Sequence, residues 1–221
     1  EADRRKVLLD ERMLETPSIA LQSVINETIR MGEIVRESLN VARNVLHTKS
    51  EEDIKLLKED EDIVDRLCAG ITDYTIKLSA LQISEREHQT TAHLLQVLSD
   101  IERVSDYCEN ISEFAETMIE KKLDFSDVAN EQLDKMIAST VDSYNYALDA
   151  FREESTEKAL KVIEKETQVD DLEITLRSRH MKRLAKNECN TEAGVVFLDT
   201  LVCVERISDH ARNIAEEVLG N

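Results

Sequence analysis

Turn chemistry is nearly absent from this chain. It holds one proline and four glycines in 221 residues, against ordinary shares of about 5% and 7%. So few turn formers exclude a β-sandwich or barrel, which needs a turn signal every 8–12 residues or so. Cysteine is scarce as well. Cys68, Cys108, Cys189 and Cys203 show no C-x-x-C spacing, which argues against a secreted disulfide framework and for free, buried thiols. Long apolar runs are missing. The longest is AGVVFL at 193–198, and a membrane-spanning helix needs about 20 such residues. No signal peptide is visible. Positive charge is also short: 28 Lys and Arg stand against 47 Asp and Glu, a net charge of −19. That excludes a nucleic-acid binder, since a phosphate backbone demands a basic surface. It also disfavours anionic membrane surfaces and favours cations as ligands.

What remains is a chain rich in charge (34%) and adequate in apolar content (41%), the composition of a helical bundle with solvated outer faces. Helix starts are marked by caps. Thr16-Pro17 places proline in a first helical turn. Ser50 precedes three acids, and Ser84 with Glu87 forms a capping box. Ser126, Ser155 and Asn190 or Thr191 are further starts. The pattern predicts helices near 17–48, 51–83, 85–122, 127–152, 156–187 and 191–219.

The chain repeats itself. Met31, Ser38, Asn40, Ala42 and Ser50 recur 105 residues on as Met136, Ser143, Asn145, Ala147 and Ser155. In the third helix the offset is 103: IERVSDYCENISEFAE at 101–116 aligns with VERISDHARNIAEEVL at 204–219. A period this long, with three helices per unit, predicts a duplicated three-helix bundle: an all-α fold with a lead-in at 1–16, one bundle at 17–122 and a second at 127–221. The apolar stripe of the third helix is Ile101, Val104, Cys108, Ile111, Ala115 and Met118, at spacings of three and four.

Acids flank that stripe in pairs four residues apart. Glu102 and Asp106 lie on the third helix, and Glu205 and Asp209 repeat them. The preceding helices carry Glu61 with Asp65 and, 105 residues on, Glu166 with Asp170. Any one such pair is an ordinary solvated face. Two pairs on adjacent antiparallel helices, repeated in both halves, are not: like charges at i, i+4 repel, and four converging carboxylates require a cation or raise one another's pKa. Oxygen donors without sulfur or imidazole suit hard or borderline ions such as Mg, Ca, Mn or Fe. Asn110 and Asn213, one turn beyond the third-helix acids, are either further oxygen ligands or helix-surface hydrogen-bonders.

The doubled E-R-x-S-D-x-x-x-N-I motif, with acid-x-x-x-Asp on the helix before, resembles the PhoU family over the whole chain. The resemblance implies two tandem three-helix bundles and a role in regulating phosphate uptake. It implies metal clusters on Glu61, Asp65, Glu102, Asp106, Glu166, Asp170, Glu205 and Asp209. Fe, Mn, Mg, Ca and Zn, divalent or trivalent, singly or as multinuclear clusters, all remain open. The opening LLDERMLETPSIALQ is similar to the lead-in of the C-terminal PhoU-like domain of bacterial sodium/phosphate cotransporters. With a first residue that is Glu rather than Met, this implies an excised, cytoplasmic piece that is fused to, or docks on, an inner-membrane phosphate transporter. No direct membrane insertion is expected, and self-association is left open. Ser105 and Ser208 stand where the family often has Gly.

Two rival readings have distinct signatures. A metal-free interaction or signalling bundle leaves the acids solvated. A ferritin-like di-metal enzyme needs two inward Glu-x-x-His motifs, whereas this chain has one, Glu85 to His88, whose repeat position is Thr191. Nothing supplies a nucleophile with a positioned base, so no enzymatic activity is expected. His93, His180 and His210 lack mirrored partners and are expected to be surface or half-buried residues.

Overall fold

The computed structural model describes residues 3–220. Among them are six α-helices and no strand. The helices are α1 (Pro17–Thr48), α2 (Glu51–Ser79), α3 (Glu85–Glu120), α4 (Asp127–Glu153), α5 (Thr156–Ala185) and α6 (Thr191–Leu219). Helices α1, α2 and α3 pack against one another, as do α4, α5 and α6, and the two sets meet through α3 on α6 and α1 on α4.

The caps form as the sequence implies. Ser50, Ser84, Ser126 and Ser155 each accept a backbone N–H three residues on, and Glu87 closes the capping box on Ser84. Asn190, rather than Thr191, caps α6 through the amides of Glu192 and Ala193. Thr16 makes no side-chain cap bond, and proline alone sets the start of α1. Helix ends are less regular. With so little glycine, four turns use side-chain-bearing residues at positive φ: Lys49, Lys122, Glu154 and Asn187. Such conformations cost about 1–2 kcal/mol each. Lys122 and Asn187 lie in the last residues expected of α3 and α5, and those helices stop at Glu120 and Ala185. Helix α2 ends at Ser79 rather than near 83. Leu81 and Ile83 extend its apolar pattern, but the chain needs those residues to reverse direction before Ser84 caps α3.

The lead-in carries structure that its sequence did not announce. A 3-10 helix, Glu11–Glu15, is capped by Asp10. Buried Glu27 accepts the Leu8 amide at 2.9 Å, and Tyr74 donates to the Asp10 carbonyl at 2.9 Å. The lead-in is thereby laid along α1 and α2.

All six stripe residues of α3 are buried. Where α1 crosses α4, a Cβ on Gly32 would stand 2.5 Å from Leu148 Cδ1, and Tyr144 donates to the Gly32 carbonyl at 2.7 Å. Gly32→Leu is therefore expected to destabilise the protein by about 1–3 kcal/mol through overpacking. Urea unfolding followed by circular dichroism measures this, and an unchanged midpoint would show that the crossing is loose.

Candidate metal centres

The flank position of the acids follows from helix geometry. Each pair sits beside the core stripe, so its carboxylates emerge in the groove between the second and third helix of a bundle. In the first bundle, one oxygen from each of Glu61, Asp65 and Asp106 lies within 4.8 Å of the others. In the second, Glu166, Asp170 and Asp209 are gathered in the same way. Glu102 and Glu205 flank these triplets, close enough that Asp65 and Asp106 act on Glu102, and Asp209 and Asp170 on Glu205.

Burial and mutual repulsion leave their mark on protonation. Burial pushes the Glu61 carboxyl up to about 8, aided by a proton shared with Asp65 and by the charge of Glu109. Glu102 rises to about 7 through burial and then the charge of Asp106. Glu205 rises to about 7 through burial and then the charge of Asp209. Glu166, Asp106 and Asp209 also rise, burial first in each case. The protein supplies few donors to offset this. Arg103, more than half exposed, reaches Asp106 only at 3.5 Å. Asp170 Oδ1 is buried with no hydrogen-bond partner. An all-oxygen donor set with an orphaned carboxylate oxygen fits a hard or borderline cation.

On the third helices the two clusters differ at one charged position that is absent from the acid pairs. Glu109 adds a fifth acid to the first, and burial together with the charges of Glu113 and Asp106 raises its pKa. Its repeat equivalent is Arg212, which reaches Glu166 at 2.8 Å and Glu216 at 2.9 Å. The alignment of 101–116 with 204–219 holds the signal, a reversal of sign at one aligned position. Arg212→Glu should tighten cation binding at the second cluster by about tenfold or more, since a nearby unit charge is worth over 1 kcal/mol at an effective dielectric near 20. Calorimetric titration of the variant reads this directly. Unchanged affinity would place Arg212 outside the reach of the ion.

Other candidates resolve differently. Asn213 donates to buried Asp100 at 3.1 Å, alongside His210 at 2.9 Å, and Asn110 faces Cys203. The asparagines thus serve the α3–α6 contact as hydrogen-bonders and do not enter the acid clusters. Glu85 and His88 are exposed at the start of α3, away from any core site for a di-metal enzyme. The four cysteines are free thiols. His93 contacts Glu217 at the surface. His180, expected to be a surface or half-buried residue, is instead 3% exposed. No described helix is long and apolar enough to cross a membrane.

A family model described as the PhoU domain matches residues 28–115 and again 133–218. Among curated proteins, the chain is 28% identical over 200 residues to the "Phosphate-specific transport system accessory protein PhoU homolog 1" of Thermotoga maritima, covering 88% of this chain and 83% of that protein. It is 23% identical over 213 residues to the "Putative inorganic phosphate export protein YjbB" of Escherichia coli, covering 96% of this chain but 39% of that protein. Among solved structures, PhoU from Pseudomonas aeruginosa superposes with a TM-score of 0.86 at 22% identity, covering 91% of this chain and 96% of the other. The phosphate transport system regulatory protein PhoU from Streptococcus pneumoniae gives 0.82 at 21%, covering 92% and 95%.

Proposed function

The chain belongs to the PhoU domain family, and from that membership we propose that it regulates phosphate transport as a cation-loaded cytoplasmic domain working on a membrane phosphate transporter. Its units run over 17–122 and 127–221, after a lead-in at 1–16. Each unit holds divalent or trivalent ions: Glu61, Asp65, Glu102 and Asp106 in the first, Glu166, Asp170, Glu205 and Asp209 in the second. The observation that carries the metal reading is the doubled triplet of converging carboxylates, in which Glu61, Asp106, Glu166 and Asp209 have raised pKa values and Asp170 Oδ1 is buried without a hydrogen-bond partner. In a metal-free interaction module such a cluster would only cost stability. The domain acts by binding, without catalysis of its own.

The transporter is joined in cis or met in trans. The match to part of a phosphate export protein, spanning 39% of its length, supports the arrangement in cis, as in sodium/phosphate cotransporters. Ions crosslink α2 to α3 and α5 to α6, fixing the outer surface of each bundle that a transporter would contact.

The test is phosphate flux in cells whose only copy carries Glu102→Gln, Asp106→Asn, Glu205→Gln and Asp209→Asn. Loss of control over flux, with the variant still folded and abundant, is expected. Native control by this variant would separate the family's regulatory role from any metal.

A further inference from the structure

The lead-in lies on a bed that the first bundle provides, along the flank of α2 that faces α1. Arg4 reaches buried Asp60 at 3.3 Å, and Ser38 of α1 donates to the same carboxylate at 3.0 Å. Val7 lies over Gly70, where a Cβ would stand 2.6 Å from Val7 Cγ2. Tyr74 donates to the Asp10 carbonyl at 2.9 Å, and Lys77 pairs with Glu11 at 2.6 Å. The strap thus meets α2 at a carboxylate, a glycine, a phenol and an ammonium in turn.

The internal repeat places a second bed on the flank of α5 that faces α4. There Asp60, Leu67, Gly70 and Tyr74 become Lys165, Leu172, Thr175 and Arg179, and Lys77 becomes Lys182. Under the lead-in Asp60, Leu67 and Tyr74 are buried. Lys165 and Leu172 are only half-buried, and Arg179 and Lys182 are exposed. No segment among the described residues covers this second bed.

Its charge has also been reversed. From Ile174 to Asn187 the chain carries five Lys and Arg and no Asp or Glu, although acids make up 47 of 221 residues overall. An ordinary solvated face in so acidic a chain carries both signs. The near end of the bed is partly neutralised: Lys165 stands 3.8 Å from Asp142, with its ammonium over the Tyr146 ring. The far end is not, since Arg179 and Lys182 make no ion pair among the described residues.

These substitutions decide the occupant. The chain's own lead-in, from a second copy, does not fit: Arg4 would meet Lys165 in place of Asp60, and Val7 would meet the side chain of Thr175 where Gly70 leaves room. An anionic bilayer is repelled by the net charge of −19 carried by the rest of the molecule. A short acidic segment meets neither obstacle.

We propose that the flank of α5 facing α4 is a docking bed for an acidic peptide segment of a partner protein. The segment lies over Leu172 and Thr175 as the lead-in lies over α2, with its acids on Lys165, Arg179 and Lys182. The bed is on the opposite flank of α5 from Glu166 and Asp170, so docking there is independent of the acid clusters.

The probe is a capped synthetic peptide of residues 3–11 in which Arg4, Arg5 and Lys6 are replaced by Glu and Val7 by Gly. It is titrated into isotope-labelled, metal-loaded protein and followed by NMR, with the unaltered 3–11 peptide and phosphatidylglycerol vesicles in parallel. The acidic peptide is expected to shift the amides of 165–182 saturably, with a Kd of about 1 mM or tighter, and to weaken as salt is raised. Arg179→Tyr combined with Lys182→Gln should weaken binding about tenfold or more; both positions are exposed, so the fold is kept. Lys165→Asp, which installs the first bundle's residue, should do the same. Absence of a saturable shift would overturn the proposal. So would binding that survives the double variant, or that the unaltered peptide matches. Vesicle binding that needs Arg179 and Lys182, with the acidic peptide silent, would assign the patch to a membrane surface and overturn the peptide occupant.

Discussion

Stripping metal from the loaded protein with a chelator is expected to lower its melting temperature by about 10–20 °C. The estimate comes from mass action. A ligand present at a hundred times its Kd adds about 2.7 kcal/mol to the folded state, and two independent sites add twice that. For a chain of 150–250 residues each kcal/mol is worth about 2–4 °C. The physical source is local. One oxygen from each of Glu61, Asp65 and Asp106, and likewise of Glu166, Asp170 and Asp209, is held within 4.8 Å of the others at a cost that a bound cation offsets. Circular dichroism is the readout, because the chain has no tryptophan to report by fluorescence. A melting temperature indifferent to chelator and to added Mn, Fe or Mg would leave the clusters without an ion.

The metal-free protein should show a pH dependence of the opposite sense to ordinary acid denaturation. Glu61 is raised to about 8, and Glu102 and Glu205 to about 7, from ordinary values near 4.5. Between those limits the folded state binds more protons than the unfolded state, so stability falls as pH rises. The penalty is complete above the folded values and absent below the ordinary one. Metal-free protein is thus expected to melt higher at pH 5.5 than at pH 8. Loaded protein should do the reverse, because protons displace the ions. The double variant Glu102→Gln, Asp106→Asn should flatten the metal-free profile and be neutral or stabilising in that state. Strong destabilisation of the metal-free double variant would mean that protein donors such as Arg103 hold those acids, and the first site would then fail.

Much of this architecture was legible in the chain because helices advertise themselves locally. A serine before a run of acids, a proline after a threonine and a stripe at spacings of three and four each report on a few neighbouring residues. The convergence of Glu61, Asp65 and Asp106 was legible for a different reason, the repeat, which turned common i, i+4 pairs into an improbable doubled set. Features decided by distant contacts stayed hidden. The 3-10 helix at Glu11–Glu15 exists because Tyr74 and α1 receive the lead-in. His180 is buried because the Phe197 ring and the α6 backbone at Gly194 lie against it, and no local pattern encodes that. Asn213 turns to Asp100 rather than to Asp209 because α3 packs on α6, a contact between units that intra-helix spacing does not address. The Glu109 and Arg212 difference was visible in the alignment, but its meaning depended on knowing that Arg212 reaches across to Glu166.

Each bundle is expected to hold its own cations on its own four acids. Metal content by mass spectrometry, on protein loaded and then desalted, decides this in three forms: native, Glu102→Gln/Asp106→Asn, and Glu205→Gln/Asp209→Asn. The expected result is bound metal in the native protein, with each double variant losing the share of one bundle and keeping that of the other. Metal content unchanged by either double variant, or no bound metal in any of the three, would contradict it.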